Sequence, residues 1–399
     1  MRTAGASLTL VLSLGAARHA AADTVTLAGG RLRLAGEASG SLAPKDHGYF
    51  NDTDYQDNVL RLARLSLSAS LRASDTVEVL GELRTDNFSA PRLYALYLRL
   101  HPWPARAVDA QVGLIPPVFG SFARRAYGND NPLIGYPLAY QYTTTLRSDA
   151  APASVDDLLW VRGYGVYVGY PVGSSAYGPG LPLIDGLRWD TGVQLRVGSQ
   201  PFQLTAALTQ GSLSHPRVRD DNGGKQVSLR GAWQPAAGLL VGVSAARGQY
   251  LDRELRDRLT PGSARGGGYH QRALGADVEG SWGHWLVRLE GVWTAWDAPI
   301  LDPPAGLPAL RAAAVSLEGR YKLAPGLYLA ARGDRLAFNE IEGSAGPASW
   351  DASVSRLEAG VGWLLTRNVV LKGVYQHNWR DGGRVRSQGT AAVQALLWF

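Results

Sequence analysis

Arg64-Leu65-Ser66-Leu67-Ser68-Ala69-Ser70-Leu71-Arg72 divides completely into two faces. Leu65, Leu67, Ala69 and Leu71 make one; Arg64, Ser66, Ser68, Ser70 and Arg72 make the other. A period of two puts successive side chains on opposite sides of an extended chain, so the stretch reads as a β-strand with one apolar and one polar face. The split recurs. It is seen at Val108, Ala110, Val112 and Leu114 against Asp109 and Gln111, and at Leu187, Trp189, Val193 and Leu195 against Arg188, Asp190, Gln194 and Arg196. Two further examples are Val315, Leu317, Gly319, Tyr321 and Leu323 against Ser316, Glu318, Arg320 and Lys322, and Leu357, Ala359, Val361 and Trp363 against Arg356 and Glu358. Such segments, 10 to 16 residues long, fill about 30–118 and 186–399 and are separated by Gly, Pro, Asp or Asn clusters, the strand and turn pattern.

A β-sandwich also alternates, with one face on a core and one in water. Three features point instead to an all-β, transmembrane antiparallel barrel. The segments exceed the usual ~5–6 residues of a sandwich strand and match the ~9–11 needed to cross a bilayer at a tilt. Trp282, Trp285, Trp293, Trp296, Trp363, Tyr321, Tyr328 and Tyr375 lie mostly toward strand ends, where membrane barrels carry aromatic girdles. Short turns at 72–75, 198–201, 234–238, 282–285, 323–326 and 364–367 alternate with longer polar connections at 43–57, 212–223, 250–269, 297–309 and 339–350, matching periplasmic turns and external loops.

Composition agrees. Mean hydropathy is only −0.11, as expected where lumen-facing residues dilute lipid-facing ones. Past the N-terminus no run approaches the ~20 apolar residues of a membrane helix. Residues 1–22 have the order of a secretory signal: Arg2, an apolar stretch from Leu8 to Ala17, and Ala20-Ala21-Ala22 before Asp23 as a small-residue cleavage site. The expected mature barrel is 23–399. With no cysteine and Met1 as the sole methionine, disulfide frameworks and thiolate sites are excluded. Formal charge is +6, but the cations are spread along strands without basic runs, so nucleic acid is not an expected partner.

Direction fixes the strand count. With both chain ends in the periplasm, strands from 30, 57, 75, 91 and 107 run alternately up and down, and one from about 186 runs down. The intervening 119–185 must then hold an even number of strands. None gives 16 strands; two, at Leu138 to Leu146 and Leu158 to Tyr170, give 18. Those two stretches lack the charged-versus-apolar split, which favours 16 and leaves 119–185 as one long segment, of a length that is usually functional.

The ending Ala391, Val393, Ala395, Leu397 and Phe399 lies on one strand face. Together with the leader and the alternating strands it resembles the Gram-negative outer-membrane porins over the whole mature chain. Gly113-Leu114-Ile115-Pro116-Pro117-Val118-Phe119-Gly120 is similar to the Pro-Phe-Gly turn of some specific porins, including the phosphate-selective group. The resemblance implies an outer-membrane location and passive passage of small hydrophilic solutes. It also implies Leu397 and Phe399 as the signal read by the barrel-assembly machinery, a homotrimer, and an inward-folded third loop at 119–185. On that basis Arg124, Arg125, Tyr127, Asp130, Tyr140, Arg147 and Arg162 are the expected constriction residues, since rings of charge select ions in pores. The alternative is an external loop with ordinary polar decoration.

Arg124 and Arg125 suit anions, whereas the segment's aromatic residues could offer faces to sugar rings. The expected lumen wall carries both signs. Arg64, Arg72, Arg188, Arg196, Arg230, Arg288, Arg320, Lys322, Arg332, Arg356 and Lys372 face Glu78, Glu82, Asp109, Asp190, Asp277, Glu279, Glu290, Glu318, Asp334 and Glu358, and most are expected to pair across strands. Arg332-Gly333-Asp334 reads as wall and not as an adhesion signal. Asp52, Asp54 and Asp57 read as a solvated acidic loop, lacking the glycine and distal glutamate of a calcium loop. His47, His101, His215, His270, His284 and His377 show no metal spacing and no nucleophile elbow, so neither metal, cofactor nor catalysis is expected. The remaining alternatives are a lipid-acting barrel enzyme and a plugged structural or adhesion barrel.

Overall fold

A computed structural model describes residues 24–52, 57–103, 106–260 and 268–399, leaving out the side chains of Ala123 and Arg124. The expected leader, Asp54 and the side chain of Arg124 therefore lie outside the described residues. Alternation at period two yields strands β1 (Leu32–Leu42), β2 (Ala63–Arg72), β3 (Val77–Asp86), β4 (Arg92–Leu100) and β5 (Val108–Ile115). The chain returns to the sheet with β6 (Asp190–Val197), β7 (Phe202–Thr209), β8 (Gln226–Ala236), β9 (Leu239–Gln249) and β10 (His270–Trp282). The rest are β11 (Trp285–Trp296), β12 (Leu310–Ala324), β13 (Leu327–Phe338), β14 (Val354–Thr366), β15 (Val369–Arg380) and β16 (Ser387–Trp398).

Each strand pairs antiparallel with the next, and β5 pairs directly with β6, Val108 opposite Val197 and Ile115 opposite Asp190. The ring closes where β1 meets β16, with Glu37 opposite Trp398 and Leu42 opposite Val393. The result is a closed 16-stranded antiparallel barrel, and closure leaves no edge to aggregate or to face lipid unpaired. Below the end of β16, the three-residue strand Val25–Leu27 takes over the free flank of β1. The last residue completes the seam: Phe399 N–H donates to Gly36 O at 3.0 Å. Its ring occupies the place of a side chain at position 36, where a Cβ would come within 2.4 Å of it.

The outer face is apolar. Leu65, Leu67 and Leu71 point outward, as do Val315, Leu317, Leu357, Val361, Val393 and Leu397. A continuous exposed apolar surface of this kind fits a bilayer and not water. At the short-turn end, Phe202, Trp233, Trp282, Trp285 and Trp363 are exposed, with Phe202 stacked on Trp233 at 6.0 Å and Trp285 against Tyr321 at 4.7 Å. That ring is an interfacial girdle, and a barrel so built belongs in a bacterial outer membrane.

Three expectations need correction. Trp296 and Tyr328 are not girdle residues; their strand parity turns them inward, where Trp296 packs edge-on against Trp350 at 5.8 Å and the Tyr328 hydroxyl donates to Pro132 O. The strand expected from 186 starts at Asp190. The Asp185 carboxylate accepts from Leu187 N and Arg188 N at 2.9 and 3.0 Å, holding those amides in a local turn and out of the ladder. Leu187 and Trp189 are therefore buried inside the ring, and Arg188 is not on the wall but ion-paired to Asp185 at 3.1 Å. The strand expected from 57 starts at Ala63, because Asn58 caps a single 3-10 turn, Val59–Arg61, by accepting from Leu60 N.

Candidate functional site: the lumen and its inserted segment

Between β5 and β6, residues 116–189 form little regular structure. They contain one helical turn, α1 (Leu138–Gln141), a helix α2 (Val155–Trp160) started by a Ser154/Asp157 capping box, and paired two-residue strands at Ala150–Ala151 and Val172–Gly173. Phe119, Phe122, Leu133, Leu138 and Tyr140 from this segment share one buried cluster with the inward wall residues Val292, Ala314, Leu336, Val374 and Leu396. On the other flank, Val118, Tyr127 and Trp189 cluster with Tyr94, Tyr97 and Ala207. An apolar core thus lies inside the ring of strands, made half by the wall and half by the segment.

Two residues, two positions apart in the chain, reach opposite walls. The Tyr127 hydroxyl donates to Glu82 on β3 at 2.6 Å. Arg125 donates to Glu290 on β11 at 3.1 Å and lies 3.5 Å from Glu318 on β12. In a ring of 16, strands β3 and β11 are on opposite sides, so the segment bridges the lumen here. Glu290 also accepts from the Tyr140 hydroxyl at 2.5 Å and from Ser121 N at 2.9 Å. A buried carboxylate satisfied by three donors is held rigidly, and it holds them.

Further anchors circle the wall. Glu37 on β1 accepts from Gly128 N at 3.1 Å, and Arg64 on β2 donates to the Tyr136 hydroxyl at 3.1 Å. Glu358 on β14 accepts from Gly135 N at 2.9 Å, while Arg356 donates to Tyr136 O at 2.9 Å and Gln141 Oε1 at 3.1 Å. Lys372 on β15 donates to the carbonyls of Gly128, Asn131 and Leu133. Higher up, Asp351 in the connection after β13 accepts from Thr145 N and Gly163 N at 2.8 and 2.9 Å. Burial pushes its carboxyl up to about 6 despite those bonds.

Of the expected constriction residues, the structure brings Arg125, Tyr127 and Tyr140 together in the bridge. Asp130 follows it, its N–H on Tyr127 O at 3.2 Å. Arg147 is elsewhere, bonded within the segment to Asp149, Val168 O and Ala176 O. Arg162 lies at the long-loop end of the barrel, 3.5 Å from Asp381. On the wall, Arg64 pairs with Asp86, Arg196 with Asp109, Arg230 with Asp277, and Arg288 with Glu279 and Glu318. Arg332 reaches Glu318, Asp334 and Glu358, so the Arg332-Gly333-Asp334 triplet is wall. Arg320 stacks over Tyr328 at 5.8 Å, and Arg72 is exposed at its strand end. Leu397 on β16 and Phe399, the residue after it, are outward.

Above the bridge, the segment, the β1–β2 connection and the end of β15 enclose a cavity of about 790 Å³. Its lining includes Tyr49, Trp160, Tyr164, Tyr167, Arg380 and Arg384. Sequence reading passed over Tyr49, Arg380 and Arg384, because three separate loops supply the cavity. The one local signal was the glycine and tyrosine repeat Gly163-Tyr164-Gly165-Val166-Tyr167-Val168-Gly169-Tyr170. The described histidines lie apart: His101 is 3.5 Å from Asp109, His270 is 3.7 Å from Asp297, and His377 is 2.9 Å from Ser387 Oγ.

No family model matches the chain, and no curated protein matches it in sequence. Solved structures share its fold. The anion-selective porin from Comamonas acidovorans is 10% identical with a TM-score of 0.55, over 92% of this chain and 99% of the other. The outer membrane channel DcaP of Acinetobacter baumannii is 11% identical with a TM-score of 0.54, over 94% and 99%. A trimer form of OmpT, an outer membrane protein of Vibrio cholerae, is 12% identical with a TM-score of 0.52, over 92% and 99%. At such identities the likeness is one of architecture: a porin-type barrel.

Proposed function

We propose that this barrel is an outer-membrane channel passing small hydrophilic solutes, anions preferred, with residues 119–185 narrowing the lumen. The observation that carries the reading is the bridge at Arg125 and Tyr127, where the inserted chain divides a charged, polar-walled barrel from within. Porins of this width hold an aqueous channel, and a fixed inward segment is how such a channel becomes selective. The preference for anions rests on the outer mouth. Wall arginines are largely neutralised by ion pairs, whereas Arg380 and Arg384 make none among the described residues. The proposal extends to Leu397 and Phe399 as the assembly signal, to cleavage of residues 1–22, and to a homotrimer, the state that the name of the Vibrio cholerae structure prints.

The apolar packing of Phe119 and Phe122 against the wall favours a second reading, a plugged structural barrel. Planar-bilayer recording separates the two. Single-channel steps with a reversal potential on the anion side support the channel; a folded barrel with no conductance would leave the plugged reading standing. Liposome swelling in the same preparation measures solute passage, and release of fatty acid instead would favour the lipid-acting enzyme.

A further inference from the structure

The cavity at the external mouth is built as a binding site, and its lining is chemically one-sided. Trp160 is 86% exposed and Tyr167 48%, so large aromatic faces are open to solvent where burial would be expected. The Arg384 guanidinium lies over the Tyr164 ring at 5.5 Å from its centroid, and Tyr49 meets Tyr167 edge-on at 5.4 Å. Arg380 is held by donating to Gly382 O and Val385 O at 3.1 and 3.0 Å, which leaves its charge uncompensated by any acid within ion-pair distance among the described residues. Arg384 likewise makes no ion pair among them.

The backbone has been shaped to place these rings. A Cβ at position 165 would lie 1.8 Å from Thr143 O, so only glycine lets the chain pass there between Tyr164 and Tyr167,. Tyr49 is held at φ 54°, an uncommon conformation for a side-chain-bearing residue,. The Tyr142 hydroxyl lies buried in the same lining, beside Arg380.

We propose that this cavity binds aromatic carboxylates. A planar ring would sit among Trp160, Tyr164 and Tyr167, and the carboxylate would meet the fork of Arg384, with the charge of Arg380 held behind it. The volume falls within the range of small-molecule sites. A sugar acid fits less well: no Asn, Asp, Gln or Glu lines the cavity among the described residues, and ring hydroxyls desolvated without such partners cost affinity. The site would deepen the channel reading as the point where solute is captured before passage, but binding itself does not depend on conduction.

The test is isothermal titration of the detergent-solubilised full-length protein with 4-hydroxybenzoate, with phenol and glucuronate as controls. Saturable binding of 4-hydroxybenzoate, at least tenfold tighter than either control, is expected. Arg384→Ala should weaken it tenfold or more, Arg384→Lys should recover only part of the loss because it keeps the charge without the fork, and Trp160→Ala should weaken it without changing the folded barrel's heat-modifiable mobility in gels. Equal binding of glucuronate, or unchanged affinity in both variants, would overturn the assignment. Conductance without 4-hydroxybenzoate binding rejects this site and keeps the channel; binding without conductance does the reverse.

Discussion

The barrel wall and the segment it encloses are built on different physics, although one chain makes both. On the wall every second residue meets lipid, so composition alternates and backbone hydrogen bonds run from strand to strand. Inside, residues 116–189 have no lipid to face and no repeating partner. Some of their amides and carbonyls bond within the segment, and others are held one by one by Glu37, Glu290, Glu358, Asp351 and Lys372 on the wall and its connections. The wall is therefore stabilised by a ladder that tolerates many single changes, whereas the segment depends on a few buried polar residues.

The largest effect should come from removing the segment. Deletion of residues 121–160 is expected to raise single-channel conductance several-fold in a barrel that still folds; unchanged conductance would sink the assignment of this segment as the constriction. Glu290→Ala is the point-mutant equivalent. It strips the acceptor from Arg125, Tyr140 and Ser121 at once, and breaking a buried ion pair costs about 3–5 kcal/mol. Limited proteolysis should then cut within 119–185 while the wall stays intact, and equal resistance to wild type would show the bridge to be dispensable.

On the wall, Leu289→Arg places a charge on the lipid face. A cost of about 2–4 kcal/mol is expected at mid-membrane depth, read as a lower folding yield into bilayers with normal conductance in the fraction that folds. An outcome in which conductance changes and folding does not would reverse the assignment of the two faces.

The smallest effect is on pH dependence. Burial raises Asp351 and Asp185, both outside the strands, to about 6 from 3.8. An acid whose folded pKa lies above its unfolded value binds more protons when folded, so stability should rise as pH falls through about 6 and level off near the unfolded value. Each group contributes at most about 1.4 kcal/mol per pH unit. Calorimetry between pH 8 and 5 should show that slope, and Asp351→Asn should flatten it; a melting temperature that drops over this range for both proteins would refute the linkage.

The strands from β7 to β16 were legible because their outer face meets one apolar environment along its length. The same rule failed at Leu187 and Trp189, which alternate correctly but are buried inside the ring, Trp189 against the aromatic residues Tyr94 and Tyr97. It failed again at Trp296, where an aromatic near a strand end proved to be core. Apolar surface looks the same in sequence whether it will meet lipid or protein. The bridge residues Arg125, Tyr127 and Tyr140 stood out only as charged and aromatic residues in a long insertion, without any sign of which wall each would reach.

By itself, then, the sequence determined the barrel and its even strand number, since period-two patterning is a local property summed along the chain. Tertiary structure alone decided how the lumen is divided and what lines its mouth. Glu82 and Glu290 lie far apart in the chain and come to oppose each other only because 16 strands close, and Tyr49, Tyr164 and Arg384 meet only because three loops rise over that same closed ring.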